Sequence, residues 1–156
     1  MAKSELDSVD WTLVRELQHD ARRSNRELAA AAHVSPSTSL ERIRALRAAG
    51  VITGYHATVD LPALGRDVQA LTAVTIRPPT RATIESFRNW VATLQELIGV
   101  FVVSGASDFL LHVAVADTKA LYAFVIDRLT ERPEVADVNT TIVYEHLRRP
   151  VLEPLQ

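Results

Sequence analysis

Residues 24–52 read SNRELAAAAHVSPSTSLERIRALRAAGVI, and this stretch decides how the first third of the chain folds. It holds two short helical patterns joined by a tight turn. Ser24 and Ser35 stand where the two helices begin. Serine there satisfies backbone N–H groups that a helix leaves open at its start. Ser24 and Glu27 fit a capping box, in which each side chain bonds the other's backbone. Pro36 falls at a first helical position, where its missing N–H costs nothing. Gly50 ends the second helix. Two helices joined this closely predict a helix-turn-helix, whose second helix enters the major groove of duplex DNA.

Working outward, residues 10–20 predict a preceding helix. Trp11, Leu13, Val14 and Leu17 lie near one side of it, and Asp7, Ser8 or Asp10 is placed to cap it. Leu28, Ala29, Ala32 and Val34 give the apolar side of the middle helix and its turn. In the third helix Ser39, Ile43 and Leu46 fall close in angle, with Leu40 at the margin. The three helices enclose a small core. Ser37, Thr38, Glu41, Arg44 and Ala45 occupy the opposite side of the third helix, the side expected to meet DNA.

The period then changes. Residues 51–60 carry Ile52, Tyr55, Ala57 and Val59 in alternation and predict an extended strand. Residues 61–65 form a corner with Pro62 and Gly65. Three regions follow: a headpiece at 1–50, a linking strand and hinge at 51–65, and a second domain at 66–156. In the second domain, strands are expected at 68–76, 100–104, 109–116 and 135–144, rich in β-branched residues. Helices are expected at 83–97 and 118–130. The order βαββαβ specifies a split-βαβ, ferredoxin-like sandwich. The fold class is α+β, with a winged-helix-like headpiece of three helices. One helical layer covers one sheet face, yet residues 68–76 and 109–116 are apolar on both sides. A second copy of the same sheet is the simplest cover.

Composition narrows the function. The chain has 156 residues, no cysteine and a net charge of −2. Without cysteine there is no disulfide framework, thiolate metal site or cysteine nucleophile. No apolar run is long enough to span a bilayer. The polar start MAKSELDSVD does not read as a signal peptide, so the expected compartment is the cytoplasm. Residues 22–47 hold six arginines against two glutamates, a basic segment on an otherwise acidic chain. The five histidines are dispersed without metal-ligand spacing, and no phosphate- or dinucleotide-binding glycine pattern is present. No cofactor and no enzymatic activity are expected.

These elements, taken together and in order, resemble the Lrp/AsnC (feast/famine) transcriptional regulators. The likeness is carried by Leu6-Asp7 with Asp10, Leu13 and Leu17, by Asp20-Ala21-Arg22, and by Glu27-Leu28-Ala29. It continues through Val34-Ser35-Pro36-Ser37-Thr38, Arg42-Ile43-Arg44-Ala45-Leu46 and Gly50-Val51-Ile52-Thr53-Gly54-Tyr55. In the second half it rests on Val103-Ser104-Gly105 with Asp108, and on Val138-Asn139-Thr140-Thr141-Ile142-Val143. The resemblance implies a DNA-binding headpiece and an effector domain that dimerises through its sheet. It also implies assembly to octamers, and control by an amino acid or related metabolite bound between effector domains. The chain departs from the family pattern at Ser39, where a β-branched apolar residue is usual, and at Glu41. It departs again at Ala106-Ser107, where an aromatic or acidic residue is usual.

The expected DNA contacts divide by chemistry. Ser35, Ser37 and Thr38 lie at a helix N-terminus, where free N–H groups attract phosphate. Arg44 reaches guanine edges or a phosphate, and Arg42, to one side, a phosphate. Glu41 can accept from a cytosine amino group. Arg22, Arg23 and Arg26 are placed to clamp the backbone. Ser39 is expected to face the first or second helix, with either the helix rotated slightly toward Leu40 or the Ser39 hydroxyl bonded to a carbonyl one turn back. For the effector, backbone N–H groups of Ala106, Ser107 and Asp108 can hold a carboxylate beside Gly105. The Asp108 side chain can pair with an ammonium, and Thr140 and Thr141 can offer hydroxyls. The bland alternative is a plain glycine hairpin with Asp108 capping it. The rival function is a ligand-binding oligomer whose headpiece is weak or vestigial.

Overall fold

The computed structural model describes residues 6–154. Residues 1–5, part of the polar start, and 155–156 lie outside the description. The chain divides into two compact units, one of residues 1–58 with 147–156 and one of residues 59–146.

In the first unit, α1 (Ser8–His19), α2 (Asn25–Ala31) and α3 (Pro36–Ala48) form the headpiece. Each start follows from a cap. The Asp7 carboxylate accepts the Asp10 N–H at 2.9 Å, so α1 begins two residues earlier than the apolar spacing alone predicts. Ser24 and Glu27 close the expected capping box on α2. The Ser35 hydroxyl accepts the Thr38 N–H at 3.1 Å and starts α3, with Pro36 in its first turn. The turn between α2 and α3 passes through His33 at φ 55°, a left-handed residue that histidine tolerates better than β-branched side chains do. Gly50 at φ 73° turns the chain out of α3. Leu13, Leu28, Ala32 and Leu46 make the core, with Leu17, Ile43 and Ile52 packed against it.

The strand expected at 51–60 does not form: among the described residues no strand pairs with that segment, and nearly all of it is exposed. Alternation gives a strand only where a partner supplies ladder hydrogen bonds, and none arrives. Instead Tyr55 stacks under the Arg47 guanidinium, 5.7 Å from ring centre. Residues 147–156, which the sequence places at the end of the second domain, group with the headpiece. There the Gln18 side-chain amide donates to the Leu152 carbonyl at 3.1 Å and accepts its N–H at 2.9 Å.

The second unit runs β1 (Val68–Ile76), α4 (Arg81–Val91), β2 (Leu97–Val102), β3 (Phe109–Val115), α5 (Thr118–Phe124) and β4 (Val135–Val143). The sheet order is β2-β3-β1-β4, with antiparallel neighbours throughout. Helix α4 stops at Val91, short of the expected 97, because the Thr93 hydroxyl takes the Trp90 carbonyl and Leu97 pairs with Val113 in the sheet. Helix α5 widens into a π turn over Val125–Leu129. Val74, Ile76, Phe109, Leu111 and Val113 meet Phe87, Val91, Leu121, Phe124 and Leu129 from the helical layer. Phe87 and Phe109 lie 4.8 Å apart between ring centres.

The other side of the sheet has no helix of this unit over it. Leu71, Ala73, Leu110 and His112 alternate with the buried residues of β1 and β3 and are half-buried there. Phe101, paired with Leu110, is 58% exposed.

Candidate functional site

The α3 surface presents Ser37, Leu40, Glu41, Arg44 and Ala45 to solvent, all within one stripe of i, i+3 and i+4 spacing. At its N-terminus the Ser35 hydroxyl lies 2.8 Å from both the Ser37 and the Thr38 hydroxyls. Ser35 is thus committed to the cap, whereas Ser37 is exposed at the positive end of the helix dipole. Asn25 donates to the Pro36 carbonyl at 2.7 Å and ties the start of α2 to the start of α3. That contact was not foreseen in the sequence, because only the turn geometry brings the two residues together.

The arginines split into two groups. Arg42 donates to Asp7 Oδ2 at 2.7 Å and lies 3.3 Å from both Asp10 carboxylate oxygens. It therefore clamps α3 to the start of α1, rather than standing out for a phosphate. The Asp10 N–H, followed by Arg42, holds the Asp7 carboxyl below the usual carboxylate range. The hydrogen bond to Asp7 raises Arg42 in turn. Arg23 is ion-paired with Glu16. Arg22, Arg26 and Arg44 are exposed and make no ion pair among the described residues. Glu41 is exposed beside Arg44. Ser39 faces inward as expected, but its hydroxyl finds no partner among the described residues, so the bond to a carbonyl one turn back does not form.

In the second unit, Gly105 turns the chain between β2 and β3 at φ 126°, which only glycine adopts without strain. Ala106 is exposed and Ser107 half-buried. Asp108 is engaged elsewhere. Its carboxylate accepts the Ile76 N–H at 2.7 Å, its own N–H donates to the Val74 carbonyl at 3.0 Å, and Arg77 stands 3.8 Å away. Asp108 thus locks the turn to the end of β1, and Arg77, missed in the sequence, already supplies its cation. Thr140 and Thr141 point to opposite faces. Thr140 pairs with Thr72 across β1 and β4, their hydroxyls 3.2 Å apart on the helix-covered side. Thr141 pairs with Leu71 on the other. One pocket within a single chain cannot use both.

His112 sits on the helix-free face. Its Nε2 lies 3.0 Å from Gln69 Oε1, and the His146 ring meets it edge-on at 5.4 Å. Burial pushes the His112 imidazole below its usual value, and the neighbouring His146 adds to the shift.

A helix-turn-helix joined to an antiparallel sheet unit with one helix-free face defines a class: a two-part DNA-binding regulator. The comparisons agree. A family model of the AsnC-type helix-turn-helix domain matches residues 6–47, and one of the Lrp/AsnC ligand binding domain matches residues 69–151. The HTH-type transcriptional regulator AldR of Mycobacterium tuberculosis is 37% identical over 93% of this chain and 81% of its own. The leucine-responsive regulatory protein of Rhizobium meliloti is 34% identical over 95% of both. A transcriptional regulator of Neisseria meningitidis, solved as a complex with L-Met, superposes with a TM-score of 0.85 at 30% identity, covering 92% of this chain and 93% of its own.

The chain therefore belongs to the Lrp/AsnC family of transcriptional regulators. It is a DNA-binding regulator with a small-molecule-binding domain, and the family is one of regulators rather than enzymes. Among the described residues, no helix is long and apolar enough to cross a membrane.

Proposed function

We propose that the protein is a sequence-specific regulator that pairs into a homodimer through the helix-free sheet face. In this reading the dimers assemble further, to an octamer, and an amino acid or related metabolite controls them in the cytoplasm. The observation that carries the reading is the one-sided sheet. Leu71, Ala73, Phe101 and Leu110 share a face that no helix of their unit covers. A second copy meeting it about a twofold axis buries the same patch on both partners.

Pairing also serves the headpiece. Arg23 and Arg42 are tied to carboxylates, which leaves Arg22, Arg26 and Arg44 for DNA. Few phosphate contacts give modest affinity, and two linked headpieces raise it by avidity. In this reading Ser37, Thr38 and Arg22 meet phosphates, while Arg44 and Glu41 meet base edges. The effector sits by the Gly105–Asp108 turn, its carboxylate on the N–H groups of Ala106 and Ser107, with Thr141 contributing from the helix-free side. Asp108 holds the turn in shape and does not itself bind the effector's ammonium. The L-Met bound by the Neisseria regulator supports an effector of this chemistry.

Sedimentation and a thermal screen test the reading together. A dimer or larger species is expected at micromolar concentration, and a monomer overturns the pairing. One amino acid is expected to raise the melting temperature, because a ligand that prefers the folded state stabilises it. No response across all twenty overturns the effector class. Arg44→Ala is expected to weaken binding to a selected site by about 1–3 kcal/mol, and to random duplex less. Equal losses on both would reassign Arg44 to a phosphate.

A further inference from the structure

Helix α3 inverts the usual inside–outside order at two adjacent positions. Ser39 is fully buried, and its hydroxyl finds no partner among the described residues. Leu40 beside it is 39% exposed. A buried hydroxyl without a partner costs stability, and an exposed leucine forgoes burial. A single exposed leucine on an arbitrary surface means nothing. Leu40, however, lies in the stripe of Ser37, Glu41 and Arg44, the face that a helix-turn-helix turns into the major groove.

We infer that Leu40 determines specificity by packing against the 5-methyl group of a thymine. The inference rests on α3 being the reading helix. Of the four bases, only thymine carries a methyl group into the major groove, and an apolar side chain is its matching contact. Glu41 fixes which part of the DNA this section of α3 can face. Its carboxylate repels phosphate, so the middle of the helix avoids the backbone and lies over base edges. Ser37, one turn earlier, and Arg44, one turn later, can take phosphate or polar base contacts. Leu40 has no polar atom to offer, and the methyl is the one groove feature that rewards it.

The test uses the full chain and an operator selected by it from a random duplex pool. Each thymine of one half-site is replaced in turn by deoxyuridine, which removes the methyl and keeps the pairing. One position is expected to lose about fourfold in affinity, the worth of one methyl taken from water. Leu40→Ala is expected to lose a similar factor on the thymine operator and to be indifferent to uracil there. Leu40→Met is expected to keep the preference. On random duplex Leu40→Ala is expected to lose less than on the operator, since few registers there set a thymine methyl against position 40. If no thymine is uracil-sensitive in the parent protein, or if the sensitive one stays so in Leu40→Ala, the assignment of Leu40 is overturned while α3 remains the reading helix. If no operator can be selected at all, base reading by α3 fails and the assignment fails with it.

Discussion

The headpiece closes on Leu13, Leu28, Ala32 and Leu46, whereas the sheet unit encloses three phenylalanines and nine more buried apolar residues between sheet and helices. The smaller core is supplemented by polar devices. Capping boxes start α1 and α2, Arg42 spans Asp7 and Asp10, and Gln18 grips Leu152. The sheet unit also has capped helices, at Thr80 and Asp117, and an Arg132–Glu134 pair, but it rests on a much larger apolar core. A unit that leans on charge pairs should answer to salt, and one held by a packed core should answer to lost volume.

The largest expected effect lies in the packed core. Phe109→Ala is expected to destabilise the sheet unit by about 3–5 kcal/mol, since the cavity left beside Phe87 cannot fully collapse. The two tryptophans separate the readouts, Trp11 lying in the headpiece and Trp90 in the sheet unit. In a Trp11→Phe background, urea unfolding followed by Trp90 fluorescence should show the loss. A headpiece transition that moved as far would erase the contrast between the units.

A smaller effect, of opposite sign, is expected at Ser39. Replacing it by alanine removes a buried hydroxyl that has no partner, and should stabilise the headpiece by about 1 kcal/mol. Followed by Trp11 in a Trp90→Phe background, a loss of stability instead would reveal a bond to that hydroxyl.

Acid gives the smallest and most discriminating effects. His112 is held below its usual value in the folded chain, first by burial and then by His146, so the unfolded chain binds its proton more readily. The sheet unit should therefore be fully stable above about pH 6.5 and weaken as pH falls through the lower folded value. His112→Gln should flatten that slope. Among the described residues, His146 is the titratable group facing His112; the other groups around it are Gln69 and Leu71 on β1, Gly99 on β2, and Leu110 and Ala114 on β3. Asp7 is depressed by the Asp10 N–H and by Arg42, so its contribution is present above about pH 3.8 and lost as pH falls further. On acid titration the melting temperature of the sheet unit should begin to fall first. Arg42→Ala should weaken the headpiece and shrink its acid response.

Local rules made the helices legible. Ser24, Ser35, Pro36 and Gly50 act on backbone groups within a few residues of themselves, so their meaning survives without the rest of the fold. The limits of β1 match the alternation from 68 to 76 for the same reason. The expected strand at 51–60 failed because ladder bonds come from a distant segment, which periodicity cannot see. The expected end of α4 failed because Leu97 carries the same apolar signal in a helix or in the strand that claims it.

The candidate sites divide in the same way. Which residues lie on the outer face of α3 is a matter of helical angle, so Ser37, Glu41 and Arg44 were readable in advance. Arg42 was not, because its partners Asp7 and Asp10 stand more than thirty positions away along the chain. For Asp108 the sequence leaves open an ammonium partner or a place in the hairpin itself, and only the fold brings the Ile76 N–H and Arg77 against it. Sequence by itself determined where the helices start, the order of the elements that form and the family, because capping and period are short-range physics. Only tertiary structure decided which charges are spent on the fold and which remain for a partner, since a charge is neutralised by whatever lies within a few ångströms, wherever that group falls in the chain.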